Sequence, residues 1–452
     1  MPNPPRNLLQ ALQQIDFDEA IGPDDERYVD LDEARGAPGY RTRLFMKFGL
    51  NIGNGEFYPN LKRHVLFFGP IGCGKSTELL RLRQTLVEPA SPVTGKVFPI
   101  LVNLRGEVDI NNLEYADLFL ALAHALVHQL DQRNVRVPAE RVAALTRWFR
   151  EQVLTQEAVR ELAAQLGTDA ELGGGWPFLL KLTARFSGVF KSSSVYKDSM
   201  REVVRKTFTQ FADAFNQLIS AAEDAIAAAG LGQRLLLMVD GTDKIPLAQA
   251  QSLFVYDTEQ LLSIQALVLY TAPIALKYAG TTHSKLNAEL VLPIVKLEHR
   301  DGSRFEPGWQ ALRQMLARRI APEAFAPPAL RDDLIAASGG HPRELLRLLT
   351  LACESETGVI DRFAVDRAID TLAAEYRYWL EPEDYALLAR IDAARGEHAG
   401  NDDRTRNLLW RLALLHYNDG SWRRSHPVVR RLDGYRRAQA QGAAADSSTG
   451  QG

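Results

Sequence analysis

The 452-residue sequence predicts an α/β fold built on a parallel sheet. Three features carry that expectation. Short, largely apolar runs recur at residues 65–68, 97–104, 235–239, 266–270 and 290–297, the last three as expected of central parallel strands buried on both faces. Stretches with apolar residues at helical spacing separate many of these runs. The first run also passes through a glycine-rich turn directly into Leu79, Leu82 and Leu86 at helical spacing. That strand-loop-helix order is the unit from which parallel sheets grow.

The length exceeds what one hydrophobic core usually organises, so several domains are expected. A net charge of -3 creates no global field toward nucleic acid or acidic substrates, and any basic site must be local. Two cysteines, Cys73 and Cys353, are too few for a secreted disulfide framework. The first thirty residues hold no basic flank leading into an apolar stretch, and no segment reaches the ~18 to 20 apolar residues of a membrane helix. The expectation is a cytoplasmic chain with no membrane partner.

Along the chain, residues 1–58 are acidic and turn-rich and read as an N-terminal extension packed on the core. Residues 59–136 and 231–300 hold the strands, with an amphipathic helix over 115–130. Residues 137–230 show only helical patterns, including Met200, Val204, Phe208, Phe211 and Phe215, stopped by Gly230; this is a helical insertion. Helices continue over 301–375 and on to Arg395, with Gly396 as a stop. A small module follows within 376–437, and the Ala/Gln/Gly/Ser-rich tail 438–452 is expected to be disordered.

The turn after the first strand, Gly69-Pro70-Ile71-Gly72-Cys73-Gly74-Lys75-Ser76-Thr77, fits G-x-x-x-x-G-K-[ST] in its proper place between strand and helix. Glycines let the backbone curl so that its N–H groups converge on phosphate oxygens, and the helix N-terminus adds positive potential. Lys75 is expected on the β and γ phosphates of a nucleoside triphosphate and the Ser76 hydroxyl on Mg²⁺. Cys73 is either a filler of a variable loop position or a redox switch. With no Asn-Lys-x-Asp guanine signature, ATP is the default nucleotide.

A phosphate loop needs a carboxylate on a neighbouring strand end to hold the metal's water shell. Asp240, closing the run at 235–239, supplies it in Walker B form, and Asp243 either polarises an attacking water or is a helix N-cap or surface acid. Thr271 ends the next strand, as a γ-phosphate sensor or a plain strand-end hydroxyl. In Ser338-Gly339-Gly340-His341-Pro342-Arg343-Glu344, a loop enters a helix with Pro in its first turn. Arg343 there either senses nucleotide or forms a surface salt bridge.

Residues 401–437 carry nine arginines (404, 406, 411, 423, 424, 430, 431, 436, 437) against four aspartates. Leu408, Leu409, Leu412, Leu414 and Leu415 indicate a helix, and Tyr417-Asn418-Asp419-Gly420-Ser421-Trp422 a turn into a wing hairpin. Such a winged-helix-like module either holds DNA phosphates, docks a protein, or merely presents a solvated face.

Together these residues resemble the AAA+ and STAND class of P-loop ATPases, over roughly residues 60–435. Asp240-Gly241-Thr242-Asp243 looks like the D-G-x-D of NACHT ATPases and is close to the D-D-x-D of KAP ATPases; the Gly-Gly-x-Pro-Arg stretch looks like the start of a lid helix. The resemblance implies a P-loop NTPase sheet with helical insertion, helical lid and C-terminal winged helix. It further implies nucleotide-gated domain rearrangement, often in a homo-oligomer or with an effector protein, and in bacteria often a role in phage defence. The order of parts is also similar to that of origin-recognition ATPases, which implies DNA binding or remodelling instead. Two departures stand out. Gly241 replaces the usual AAA+ catalytic glutamate, and residues 272–299 contain no arginine to serve as a finger, only Lys277 and Lys285. Loss of such a finger can cost about 10³ to 10⁵ in rate, which favours a slowly hydrolysing switch over a ring motor.

Overall fold

The computed structural model describes residues 4–36, 39–154, 175–192, 194–279, 286, 288–395, 400–418 and 422–449. Five strands, β1 (Arg63–Gly69), β2 (Val97–Asn103), β3 (Arg234–Asp240), β4 (Leu267–Pro273) and β5 (Ala288–Val291), form one sheet in the order β2-β3-β4-β1-β5. Every neighbouring pair is parallel. Side chains alternate across a strand, so each apolar run feeds two cores. Leu66, Phe68, Leu235, Leu237, Val268 and Tyr270 face one. Val65, Phe67, Leu236, Met238, Leu267 and Leu269 face the other.

Helices Tyr115–Gln132 and Phe208–Ala228 cover the first face with Leu118, Leu122, Leu126, Phe211, Phe215 and Leu218. The second face is covered by helix Lys75–Val87, through Leu79, Leu82 and Leu86, and by helix Tyr40–Lys47, through Tyr40, Leu44 and Phe45. The N-terminal segment therefore contributes to a core instead of trailing from it. In the 137–230 region the described residues are helical, and the single periodic run from Met200 is broken at Thr207 between helices Ser194–Lys206 and Phe208–Ala228.

One apolar run is not the central strand its composition indicates. The expected strand over 290–297 is instead a short edge strand, β5, paired with β1. Leu292 N still donates to Phe68 O at 2.8 Å, and beyond it the chain peels away: Val295 N donates to Gly340 O at 3.0 Å and Lys296 N to Ala34 O at 2.9 Å. Leu292 and Ile294 lie in one core and Val295 and Leu297 in the other, so burial alone keeps the sequence apolar.

Helices Glu306–Ala317, Leu330–Ser338, Pro342–Cys353 and Arg362–Arg377 follow, then helices Pro382–Ala393 and Asp403–Trp410. Strands β6 (Leu414–Tyr417) and β7 (Trp422–Ser425) make an antiparallel hairpin. Residues 419–421 of the anticipated turn, Gly396 and Lys285 lie outside the described residues. The hairpin is buried. Leu415, Tyr417 and Trp422 join the second core, the Tyr417 hydroxyl donates to Gly339 O at 2.8 Å, and Tyr278 Oη lies 2.7 Å from His416 Nε2.

The segment from Ala438, expected to be disordered, instead continues helix Asp433–Thr449. Two buried side chains, Leu432 and Tyr435, anchor its start, and Tyr435 Oη donates to Asp392 Oδ2 at 2.5 Å. Alanine and glutamine then carry the helix onward on propensity without a core of their own. Among the described residues, no helix is long and apolar enough to cross a membrane.

Candidate phosphate-binding site

All five strands run in the same direction, so their C-terminal ends share one edge, the usual place for a site in an open α/β sheet. At that edge β1 stops at Gly69 and the next helix starts at Lys75, with Gly74 as its N-cap at φ 100°. Gly72 has φ 83°, and both angles are strained for any side chain. Gly69 is needed for room: a Cβ there would lie 2.8 Å from Cys73 Sγ and 2.9 Å from Leu292 O. Cys73 is buried beneath the loop and its thiol faces Leu292 O at 3.7 Å, the place of a filler. Thr77 lies partly buried in the first helical turn.

Lys75 is almost wholly buried and its ammonium is saturated. It donates to Gly69 O and Pro70 O, each at 2.7 Å, and pairs with Asp243 Oδ2 at 2.8 Å. The Ser76 hydroxyl donates to Asp240 Oδ1 at 2.9 Å. Strand register explains the meeting. Val239 lies opposite Tyr270 and Phe67 opposite Thr271, so the ends of β1, β4 and β3 are level and β4 is seated between the other two.

Burial, reinforced by Asp243, raises the Asp240 carboxyl above its ordinary pKa. Burial pushes Asp243 the same way, but the positive charges of Lys75 and Lys244 outweigh it and hold that carboxyl below its usual value. Asp243 Oδ1 is buried without a hydrogen-bond partner, so the ion pair of Oδ2 with Lys75, with the charge of Lys244 nearby, keeps the group ionised. The Thr271 hydroxyl accepts from Gly241 N at 3.1 Å, and the Thr242 hydroxyl donates to Thr271 O. Thr271 thus braces the turn between the two aspartates. Gly241 makes that turn with φ 102°.

Two residues not singled out from sequence complete the loop. Arg35, buried, donates to Cys73 O at 2.9 Å and to Pro293 O. His341 caps helix Pro342–Cys353: its Nδ1 accepts from Glu344 N at 3.2 Å while its Nε2 lies 2.8 Å from Ile71 O. Those two contacts require the neutral tautomer with the proton on Nε2, and burial together with Arg343 pushes the His341 pKa down to about 3. Arg35 has no local signal, because it acts on carbonyls far away in sequence. The Gly-Gly-His-Pro turn was the one cue for His341. Arg343 pairs with Asp18 Oδ1 at 2.7 Å and packs against the loop; a Cβ on Gly72 would come within 2.8 Å of Arg343 Cβ and of His341 Cε1. Lys277, one of the two finger candidates, pairs with Glu289.

The donor set suits Mg²⁺, which keeps most of its waters and takes one or two protein oxygens beside substrate phosphates. Ser76 Oγ and Asp240 Oδ1 already share one spot 2.9 Å apart. Among the described residues there is no cluster of three or more His, Cys, Asp and Glu side chains able to hold a metal by themselves, and Mg²⁺ on a phosphate loop needs none. Compared with known proteins, the chain matches no family model and no curated protein.

Proposed function

We propose that this chain binds ATP with Mg²⁺ on the loop Gly69–Thr77 and uses it as a slowly hydrolysed conformational switch of the AAA+/STAND kind. The carrying observation is the meeting of Lys75, Ser76 and Asp240 on one sheet edge, around a loop whose glycines leave its backbone free to curl. Ser76 and Asp240 would hold Mg²⁺ through its water shell, and the metal would neutralise charge on the phosphates.

The rest is work for the protein's own groups. Loop N–H groups would take the phosphate oxygens, and Lys75 would exchange Gly69 O, Pro70 O and Asp243 for the β and γ phosphates. Asp243, released from its ion pair, becomes available to orient water. With Gly241 where a catalytic glutamate would stand, this carboxylate is the nearest base, which supports slow turnover. The helices after residue 305 act as the lid: His341 bonds to Ile71 O and Arg343 leans on Gly72, so movement of the loop reaches them directly. The β6-β7 hairpin and its flanking helices act as the winged-helix-like module, docked on the lid turn through Tyr417 and Gly339. Hinge-type opening would uncover that module to a second copy or an effector protein.

The origin-recognition alternative, in which the arginine-rich end grips DNA, finds less support. Arg404 pairs with Asp384, Arg406 with Asp403 and Arg424 with Glu298, while Arg423 is buried beneath Tyr278. Titration calorimetry of the full chain with ATP and Mg²⁺ is the deciding measurement. Saturable binding abolished by Lys75→Ala is expected, followed by phosphate release that drops with Asp243→Asn. No heat of binding with a folded protein would defeat the reading.

A further inference from the structure

Strand β3 ends in a turn, Gly241 to Lys244, closed by Lys244 N donating to Gly241 O at 3.1 Å. Such a turn holds its first and last Cα atoms within ~7 Å of each other, so the lysine is folded back beside the strand end that carries Asp240. Lys244 is partly exposed, and among the described residues its ammonium has neither a hydrogen bond nor an ion pair. It feels the attraction of Asp243 and Asp240, and the repulsion of Lys75 and of Arg105, which is exposed on the short helix after β2. A lysine with no bonded partner thus stands beside two carboxylates.

Its neighbour Asp243 depends on a different cation. Asp243 Oδ2 is paired with Lys75 at 2.8 Å, its Oδ1 is buried with no partner, and the Thr271 hydroxyl is the neutral donor beside the group. Asp240 is supplied separately, since it keeps the Ser76 hydroxyl. When Lys75 leaves, the buried Asp243 carboxylate loses its bonded charge, and that loss is strongly destabilising unless another cation takes the vacated place. Lys244 is the second cation acting on Asp243. Its ammonium sits on a flexible four-carbon stem, is covalently adjacent, and breaks no bond of its own in moving.

We propose that Lys244 is a standby counter-ion: when Lys75 leaves Asp243, the Lys244 ammonium moves onto Oδ2 in its place and keeps the carboxylate charged and oriented. Lys244 is a positioning residue in this arrangement, acting through Asp243 and touching no phosphate. The trigger, nucleotide drawing Lys75 away, rests on the switch reading. The handover itself does not, because Lys75→Ala empties the same place without nucleotide.

Denaturant titrations of the full chain test it, with Lys244→Met made in the parent, beside Lys75→Ala, and beside Lys75→Ala with Asp243→Asn. Lys244→Met should lower the folding constant by no more than about threefold in the parent, by about tenfold or more beside Lys75→Ala, and by no more than about threefold again once Asp243→Asn is present. Lys244→Arg beside Lys75→Ala should cost no more than about threefold, since it keeps the charge. Equal losses with and without Lys75, or a loss that survives Asp243→Asn, overturn the proposal. Should the chain with Lys75→Ala and Lys244→Met not fold, Asp243→Asn must restore folding, and failure to do so overturns it as well. Calorimetry with ATP and Mg²⁺ keeps the two readings apart: no binding by the parent defeats the phosphate-loop reading, while the folding cycle still decides on Lys244. Where the parent binds, Lys244→Met should weaken ATP about tenfold, but less than about twofold beside Asp243→Asn. Equal weakening in both would mean that Lys244 meets the phosphates directly, against the handover.

Discussion

The phosphate loop and the region where the β6-β7 hairpin packs on the helices before it treat buried donors in opposite ways. At the loop, Lys75 has three acceptors, all supplied by the protein, and its neighbour Ser76 is bonded to Asp240. Around the hairpin, Arg430 Nε and Trp422 Nε1 are buried with no acceptor. The first arrangement is held by its own residues, and a ligand there would have to exchange partners with them; the second leaves its donors with no partner at all. Exchange links binding to rearrangement, since every displaced partner must go elsewhere.

The largest effect that bears on this contrast is Lys75→Ala. It should abolish ATP binding and destabilise the fold by about 3 kcal/mol, because buried Asp243 loses its bonded ammonium and is left with only the more distant charge of Lys244. Adding Asp243→Asn should restore most of that stability in denaturant titrations but none of the binding. A single variant as stable as the parent would show that the pair does not hold the loop. Next comes the turn joining the two regions. Gly340 has φ 83°, and a methyl there would lie 1.9 Å from Val295 O. Gly340→Ala should destabilise by at least about 2 kcal/mol, read as a lowered denaturation midpoint.

Acid should loosen the same turn. The His341 pKa is pushed from 6.5 down to about 3 by burial and by Arg343, and that of His64 down to about 4 by burial. The unfolded chain takes up these protons near pH 6.5 and the folded chain only far below, so stability is full above about pH 6.5 and falls as pH drops toward 3. Each such histidine contributes at most ~1.4 kcal/mol per pH unit to the slope. His341→Asn keeps a capping acceptor and should flatten the slope; an unchanged slope would place the titration elsewhere. The smallest effect is Tyr417→Phe, which removes the bond to Gly339 O and should destabilise by about 1 kcal/mol.

How far each region was legible from sequence follows the range of its interactions. Strands β1 to β4, the loop, and Asp240 are local patterns: apolar runs, glycines at fixed offsets, a carboxylate at a strand end. These were readable. Residues 290–297 misled because burial between elements demands the same apolar composition as a strand. The helix beyond Ala438 was missed because its anchor, Leu432 and Tyr435, precedes the low-complexity stretch it supports. Arg35 leaves no mark as a site residue, and His341 only its turn, because the loop carbonyls they reach have no sequence signature. The charge run at 401–437 hid a division between paired arginines and Arg430 that spacing cannot express.

The guanidinium of Arg35 reaches the carbonyls of Cys73 and of Pro293, the latter 258 positions along the chain. The loop is therefore closed by a segment that leaves the ribosome long after the loop itself. A nascent polypeptide that already displays Gly69–Thr77 still lacks this clasp, so capture of nucleotide should await synthesis well past residue 293, when the second half of the sheet is in place.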